Sequence, residues 1–251
     1  MKRYENSQGV FFIDEADQMF GTEIERGYHL ELGLAMHYSR PEDHILVLGA
    51  HVGAVAIPLS AVRREVVAVE ANPRTFRALV MNVNLNRRPN IRSLQAAAND
   101  QTGEIQFVLN TRNSGSSKRM PKFAHRDYFD DDPQIVTVVA WRMDDLVMHT
   151  NLIFMDIEGS EHAAMLGMPR LLGEARAVIT EFLPHHLTHV AGITVEQFVE
   201  PLLPHFDRLE IPGVSNPIEQ PAFVPLLQGL VDRGVFCPAI VFYKSGGSYG
   251  I

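Results

Sequence analysis

The chain has 251 residues, 46% hydrophobic and 21% charged, with 22 basic against 30 acidic side chains and a formal net charge of −8. That mixture can bury a core, which excludes a disordered or collagen-like chain, and the acidic balance has the wrong sign for a general nucleic-acid clamp. A lone cysteine, Cys237, cannot form an internal disulfide, so a reducing, cytoplasmic setting is expected.

The length predicts one domain over residues 1–251. Met1–Phe20 carries only the short apolar run Val10–Ile13, too short for a signal-peptide core. Thr22-Glu23-Ile24-Glu25 has capping-box form, so a helix is predicted from Thr22 to about Tyr38, where Arg40-Pro41 ends it. Residues 1–44 thus read as an N-terminal helical extension. Ile45–Val62 has no formal charge over eighteen residues, but Gly49, Gly53 and Pro58 punctuate it. A strand, a tight turn and a helix are expected there instead of a membrane span.

Ile45–Leu48 and Val66–Val69 are continuous apolar runs, the mark of strands buried on both faces. Asn72-Pro73 supplies an N-cap and a first-turn proline for a helix to about Asn86. Further strands are predicted at Ile91–Ala98, Glu104–Leu109, Val136–Trp141, Leu152–Met155, Ala177–Phe182, Leu209–Ile211 and Val235–Tyr243. Helices are predicted at Glu161–Leu172, from the second capping box Thr194-Val195-Glu196-Gln197 to Leu203, and around Leu226–Val231. Strands alternating with helices indicate an α/β fold with a largely parallel sheet covered on both faces. Asn110 to Gln134 breaks the pattern: twenty-five mostly polar residues, in which Lys118, Arg119, Lys122 and Arg126 precede Asp127, Asp130, Asp131 and Asp132. Such a stretch is either a solvated loop or a lid over a substrate.

Ligands of open parallel sheets bind beyond the carboxyl ends of the strands. The first strand ends in Gly49-Ala50-His51-Val52-Gly53, and the second in Glu70, twenty-one residues after Gly49, where a carboxylate can accept hydrogen bonds from ribose hydroxyls. A dinucleotide fingerprint needs glycine where this chain has His51 and, three residues on, Ala54. An imidazole there obstructs a pyrophosphate, so a nicotinamide oxidoreductase is the weaker reading and S-adenosylmethionine the stronger. The competing structural explanation is a glycine turn that only packs a helix on a strand. A second constellation runs from Leu152 to Glu161, Leu-Ile-Phe-Met-Asp-Ile-Glu-Gly-Ser-Glu. Four apolar residues deliver Asp156 to a strand end, with Glu158 close behind. Glu161 reads as an ordinary acidic complement to a helix N-terminus.

Ile45–Gly53, Val69-Glu70-Ala71-Asn72-Pro73, Ala97–Gly103, Ile153–Leu172 and Glu181-Phe182-Leu183-Pro184 resemble, in order and spacing, the FkbM family of S-adenosylmethionine-dependent methyltransferases, over roughly residues 20 to 185. The resemblance implies a class I methyltransferase fold, a Rossmann-like three-layer sandwich whose seven-stranded, mostly parallel sheet has an antiparallel last strand. It also implies methyl transfer to a hydroxyl of a small molecule such as a sugar, glycan or secondary metabolite. The acidic charge and the punctuated apolar run lead to no nucleic-acid partner and no membrane span being expected, and no metal ligand is assigned. Carried over by position, Gly49, Ala50 and Gly53, with His51 in the same bend, line the methionine end of the cofactor. Glu70, followed by Ala71 and Asn72, holds the ribose, and Ala98, Asn99 and Asp100 lie near the adenine. Asp156 stands beside the reacting methyl. The family usually has aspartate where this chain has Val47 and asparagine where it has His51, which sets a catalytically inactive binding protein of the same fold as the alternative. Asp156 and then Glu158 are the candidates for base or acceptor-orienting group. Ser114, Glu181 and His185 are candidate acceptor contacts. His185 and His189 have helical metal-ligand spacing but also occur as surface histidines. His162 is expected to be exposed, and Trp141 to lie in the core or stack on substrate.

Overall fold

The computed structural model describes residues 1–247 apart from 28, 124, 126, 127, 129–132 and 215. It opens on a hairpin, β1 (Lys2–Asn6) and β2 (Gly9–Ile13), paired antiparallel. The helical extension expected over 1–44 is therefore corrected. Asn6 Oδ1 accepts from the Gln8 and Gly9 amides to close the turn, and Asn82 and Asn86 of a later helix accept from the Phe12 and Val10 amides. The helix expected from Thr22 to Tyr38 is two, α1 (Phe20–Arg26) and α2 (His29–His37), because Gly27 takes a left-handed φ of 75° and ends the first.

The main sheet contains β3 (His44–Leu48), β4 (Glu65–Glu70), β5 (Ile91–Gln95), β10 (Leu152–Met155), β11 (Ala177–Phe182), β12 (Arg208–Glu210), β13 (Ile218–Glu219) and β14 (Cys237–Tyr243). Its order is β13-β12-β14-β11-β10-β3-β4-β5. The five strands from β5 to β11 are parallel, and β14 runs antiparallel to both β11 and β12. The expected seven strands, antiparallel last strand included, are present, and the two-residue β13 adds an eighth at the edge. The chain steps outward from β3 to β4 and β5, then returns to lay β10 on the other side of β3. Strand order reverses there, which opens a crevice between the β3 and β10 ends.

The buried strands read as continuous apolar runs because both faces are covered. Leu46, Leu48, Ile153 and Met155 pack on one side with α5 (Met143–Leu146), α6 (Glu161–Leu166), α7 (Pro169–Glu174), α8 (Val195–Val199) and α9 (Phe223–Asp232). Ile45, Val47, Leu152 and Phe154 pack on the other with the hairpin, α1 and α2. The short α3 (Ala56–Ser60) and α4 (Pro73–Leu85) cover that side too. Two of the three local capping signals hold; the Thr22 box does not, since Thr22 lies inside α1, whose N-cap position is Met19 with no side-chain cap. Asn72 Oδ1 accepts from the Arg74 amide 2.9 Å away, with Pro73 at the first helical position, and Thr194 and Gln197 form a reciprocal capping box. The helix expected over Glu161–Leu172 divides before Pro169, whose missing N–H starts α7 instead of continuing α6.

Ile91–Ala98 also divides, into β5 and β6 (Ala97–Ala98). The latter joins β7 (Gly103–Leu109), β8 (Lys118–Arg119) and β9 (Gln134–Trp141) in a separate four-stranded sheet, order β6-β9-β7-β8. The stretch from Asn110 to Gln134 is thus not a bare loop. A 3₁₀ turn at Ser114–Ser116 leads into β8, which pairs antiparallel with β7. Arg126, Asp127 and Asp130 to Asp132, part of that charged stretch, lie outside the described residues, as does Tyr28. Among the described residues no helix is long and apolar enough to cross a membrane.

Candidate active site

The apolar strand β3 runs straight into Gly49, whose φ of 78° lets the chain turn so that the Gly49 and Ala50 amides both donate to the Val69 carbonyl. A Cβ at Gly49 would stand 1.8 Å from the Asp156 carbonyl oxygen. The glycine is required by the neighbouring strand's backbone, which approaches until the Asp156 amide donates to Leu48 O at 3.1 Å. His51 also has a left-handed φ, 48°. Its amide donates to Glu70 Oε2 at 2.8 Å, while Glu70 Oε1 accepts from the Asn72 amide at 2.8 Å and Thr75 Oγ1 at 2.9 Å. Burial raises the Glu70 pKa and these donors pull it back in part. Glu70 is therefore first a clamp that joins the bend to the start of α4. Its Oε2, with one donor, keeps capacity for another.

The crevice beyond β3, β4 and β10 takes in about 820 Å³ of space, part of it open solvent. Of the residues singled out in the sequence, Gly49, Ala50, His51, Glu70, Ala71, Ala98, Ser114, Asp156 and Glu158 line it. Gly53 does not. A Cβ there would meet the Ile57 and Leu79 side chains, so this glycine packs the bend. Asn72 caps α4 outside the lining, Asn99 packs its carbonyl on Gly167, and neither Asn99 nor Asp100 borders the crevice. Val47 is fully buried within the β3 core. Trp141 packs against the core and does not line the crevice.

The N-terminal segment closes one wall, which sequence reasoning missed. Phe20 lies on the His51 ring, centroids 3.8 Å apart. Asp17 Oδ2 accepts from both the amide and the hydroxyl of Ser114. Since the Ser114 proton goes to Asp17, His51 Nε2, 2.7 Å from Ser114 Oγ, carries its own proton and donates it. Burial keeps the imidazole neutral and lowers its pKa to about 4, with the Asp17 charge offsetting part of that. As pH falls below about 6.5 the unfolded chain takes up a proton that the native chain refuses until about pH 4, so stability present at pH 7 is lost across that window. The full loss is about 3 kcal/mol. His51→Asn should lose this contribution, so denaturant titrations of parent and variant at pH 7, 6 and 5 should show the parent's stability advantage shrinking as pH falls, whatever the raised acids Asp156 and Glu161 add to both.

The opposite wall gathers acids. Asp156 leaves β10 into the crevice. Glu158 follows in a left-handed conformation, φ 56°, with Gly159 at 93° behind it, a backbone that tertiary contacts must hold. Glu161 is 5% exposed and its Oε1 accepts from the Ile157 and Gly159 amides, so it braces the turn instead of standing as a solvated dipole complement. Glu181, at the end of β11, is buried beside them. Burial first, then the charges of Glu158 and Glu161, push Asp156 up to about 8; burial lifts Glu161 to about 7. Glu181 is raised well above the usual carboxylate range by burial and by Asp156. Lys118, in the two-residue β8 and 3% exposed, reaches Glu158 Oε2 at 3.1 Å and lies 5.0 Å from the Tyr128 ring centroid. His186, also buried, stands 3.3 Å from Glu158 Oε2. Sequence reasoning passed over Lys118, His186 and the burial of Glu161, for which no local pattern gives a signal. His185, expected at the acceptor, is exposed and stacks near Tyr128 outside the crevice, and Glu181 lines a smaller neighbouring cavity. His162, expected on the surface, is half-buried in that second cavity's wall.

A family model described as the methyltransferase FkbM domain matches residues 48–209. No curated protein matches. Among solved structures the chain is similar to a methyltransferase FkbM from Methylobacillus flagellatus KT, at 16% identity and a TM-score of 0.52 over 89% of this chain and 51% of that one. It therefore spans about half the length of that protein. It is also similar to a precorrin-6y C5,15-methyltransferase from Geobacter metallireducens GS-15, with 13% identity, 94% and 93% of the two chains covered and a TM-score of 0.49. A third is M. jannaschii TYW2 in complex with AdoMet, with 13% identity, 96% and 85% covered and a TM-score of 0.48. At such identities the likeness is one of fold. The family model spans well over half of the chain, and the crevice, with its small-residue floor and an acceptor to spare on Glu70, fits an adenosyl ligand. The chain belongs to the FkbM methyltransferase family.

Proposed function

We propose that the protein transfers a methyl group to a hydroxyl of a small molecule such as a sugar, glycan or secondary metabolite. The observation that carries this reading is the convergence of Glu70, the 49–51 bend and Asp156 on one crevice at the strand-order reversal. S-adenosylmethionine, when bound, supplies an electrophilic methyl on a cationic sulfur. The remaining requirements fall to this chain. Glu70 Oε2 takes a ribose hydroxyl with its spare acceptor capacity, while the Ala96–Ala98 floor leaves room for a flat base. Asp156, beside the bend, receives the proton of the attacking hydroxyl; its raised pKa suits a group that must take a proton near neutrality. Glu158 is held by Lys118 at the acceptor side of the crevice. Phe20 and Ser114 shield the site from water on the other wall. Alignment of acceptor, methyl and sulfur can itself contribute on the order of 7–11 kcal/mol.

Calorimetry with S-adenosylmethionine and its demethylated product should give saturable binding of both, and radiolabelled methyl transfer to a panel of hydroxylated acceptors should find the substrate. Glu70→Ala strips partners from the His51 and Asn72 amides as well as from the ribose. It should weaken cofactor binding by roughly 10–100-fold, on the order of 1–3 kcal/mol for hydrogen bonds to a charged group. Absence of any cofactor binding in the parent chain ends this reading, and binding without transfer to any acceptor favours an inactive binding protein.

A further inference from the structure

We propose that Glu158, Glu181 and His186 form a site for a divalent transition cation directly behind Asp156. One donor atom from each residue lies within 4.8 Å of the other two. The three come from segments that the fold brings together: the turn after β10, the end of the adjacent parallel strand β11, and the helical turn His186–Ala191. Gly159 makes that approach possible, since a Cβ there would stand 2.7 Å from Val190 Cβ and 3.2 Å from His186 Cβ.

The independent sign of a ligand is a pair of buried atoms without hydrogen bonds. Glu181 Oε1 and His186 Nδ1 belong to side chains 9% and 5% exposed, have no hydrogen-bond partner, and face each other at 3.5 Å. A buried donor or acceptor left unmade costs about 1–3 kcal/mol, so two in one place call for an ion or water. Their separation suits two ligands on one first-row ion with bonds of about 2.1 Å. The charge points the same way. Asp156, Glu158, Glu161 and Glu181 meet here, and among the described residues Lys118 is the cation paired with them. Lys118 Nζ sits 3.4 Å from His186 Nε2, the edge that Glu158 Oε2 also meets at 3.3 Å. The Nδ1 edge faces Glu181 and is left to another cation, which must draw the Glu158 carboxylate across from Lys118 to bind all three. A small cavity, lined among others by Glu161, Glu181 and His186, adjoins these side chains. One imidazole with two carboxylates selects Mn²⁺ to Zn²⁺ over Mg²⁺ or Ca²⁺, which prefer oxygen alone. The bound cation ties Glu158 to Glu181 and so positions the Asp156 carboxyl between them.

The test uses the full chain, stripped with a chelator and titrated with Mn²⁺ alone while free Mn²⁺ is read by electron paramagnetic resonance. Saturation at one Mn²⁺ per chain is expected, with displacement by Zn²⁺. Glu181→Gln and His186→Gln should each weaken binding by about tenfold or more, whereas Glu70→Gln, a buried carboxylate outside the set, should retain it. Circular dichroism checks the fold of each variant; if the two buried substitutions do not fold, Glu158→Gln, at a partly exposed side chain, must show the same weakening. No saturable Mn²⁺ binding, as a plain imidazole–carboxylate contact predicts, overturns the site, and so does binding that survives all the ligand substitutions that fold. Product binding measured on the same sample keeps the two readings apart, because a chain that takes S-adenosylhomocysteine but not Mn²⁺ loses only the cation site.

Discussion

Asp156→Asn leaves cofactor affinity within a few-fold of the parent and lowers turnover by about 10²-fold or more. The magnitude is that of a positioned general base, about 10²–10⁴-fold. Asparagine is isosteric, so the Asp156 amide still donates to Leu48 O and the Asp156 carbonyl still fills the space at Gly49. What changes is the side chain: it can no longer take a proton, while the bend and Glu70 that hold the cofactor are untouched. Calorimetry with S-adenosylhomocysteine and steady-state methyl transfer to the acceptor found by screening separate the two quantities. Parent-like turnover removes Asp156 from the chemistry and passes the role to Glu158. A collapse of cofactor affinity instead makes Asp156 a cofactor ligand.

Gly49→Ala should be the most damaging single-methyl change in the chain. The new Cβ would lie 1.8 Å from Asp156 O and 3.1 Å from Ile157 Cγ2, and both are held, the first by a backbone strand that cannot swing away. The left-handed φ adds roughly 1–2 kcal/mol for any residue with a Cβ. Relief requires the ends of β3 and β10 to part, which opens the crevice where cofactor and acceptor would meet. A destabilisation of about 3 kcal/mol, at the high end for a point change, is expected. For a chain of this size that is roughly a 6–12 °C lower Tm. Cofactor affinity should fall alongside. Gly53→Ala is the comparison, since its clash is with the flexible tips of Ile57 and Leu79 and lies outside the crevice. An unchanged Tm and affinity in Gly49→Ala would falsify the close approach of the two strand ends.

How much of this was legible before folding depends on how far apart the partners are. Val66–Val69 ending in Glu70, and Leu152–Met155 ending in Asp156, announce strand-borne carboxylates within a few residues, and both line the crevice. Asn72-Pro73 and Thr194-Gln197 announce helix starts for the same reason, since a cap and its amide are two or three residues apart. Alternation marks Glu104–Leu109 and Val136–Trp141 as strands but cannot say which sheet they join, and they form the second one. His185 and Asp100, singled out by position, lie outside the crevice, while Lys118 and His186, without a motif, sit against Glu158.

The alternation of the main strands and helices from β3 onward, the Asn72 and Thr194 caps, the glycine bend and the two strand-end carboxylates were thus written in the sequence, because each rests on neighbours a turn or a strand away; the N-terminal hairpin was not. The electrostatic character of the site was not. Asp17 meets Ser114 and His51, and Lys118 meets Glu158 and His186, across separations of tens of residues. Whether a carboxyl is solvated or pushed toward neutrality is set by what covers it, and that cover exists only once the sheet, its helices and the N-terminal segment have packed.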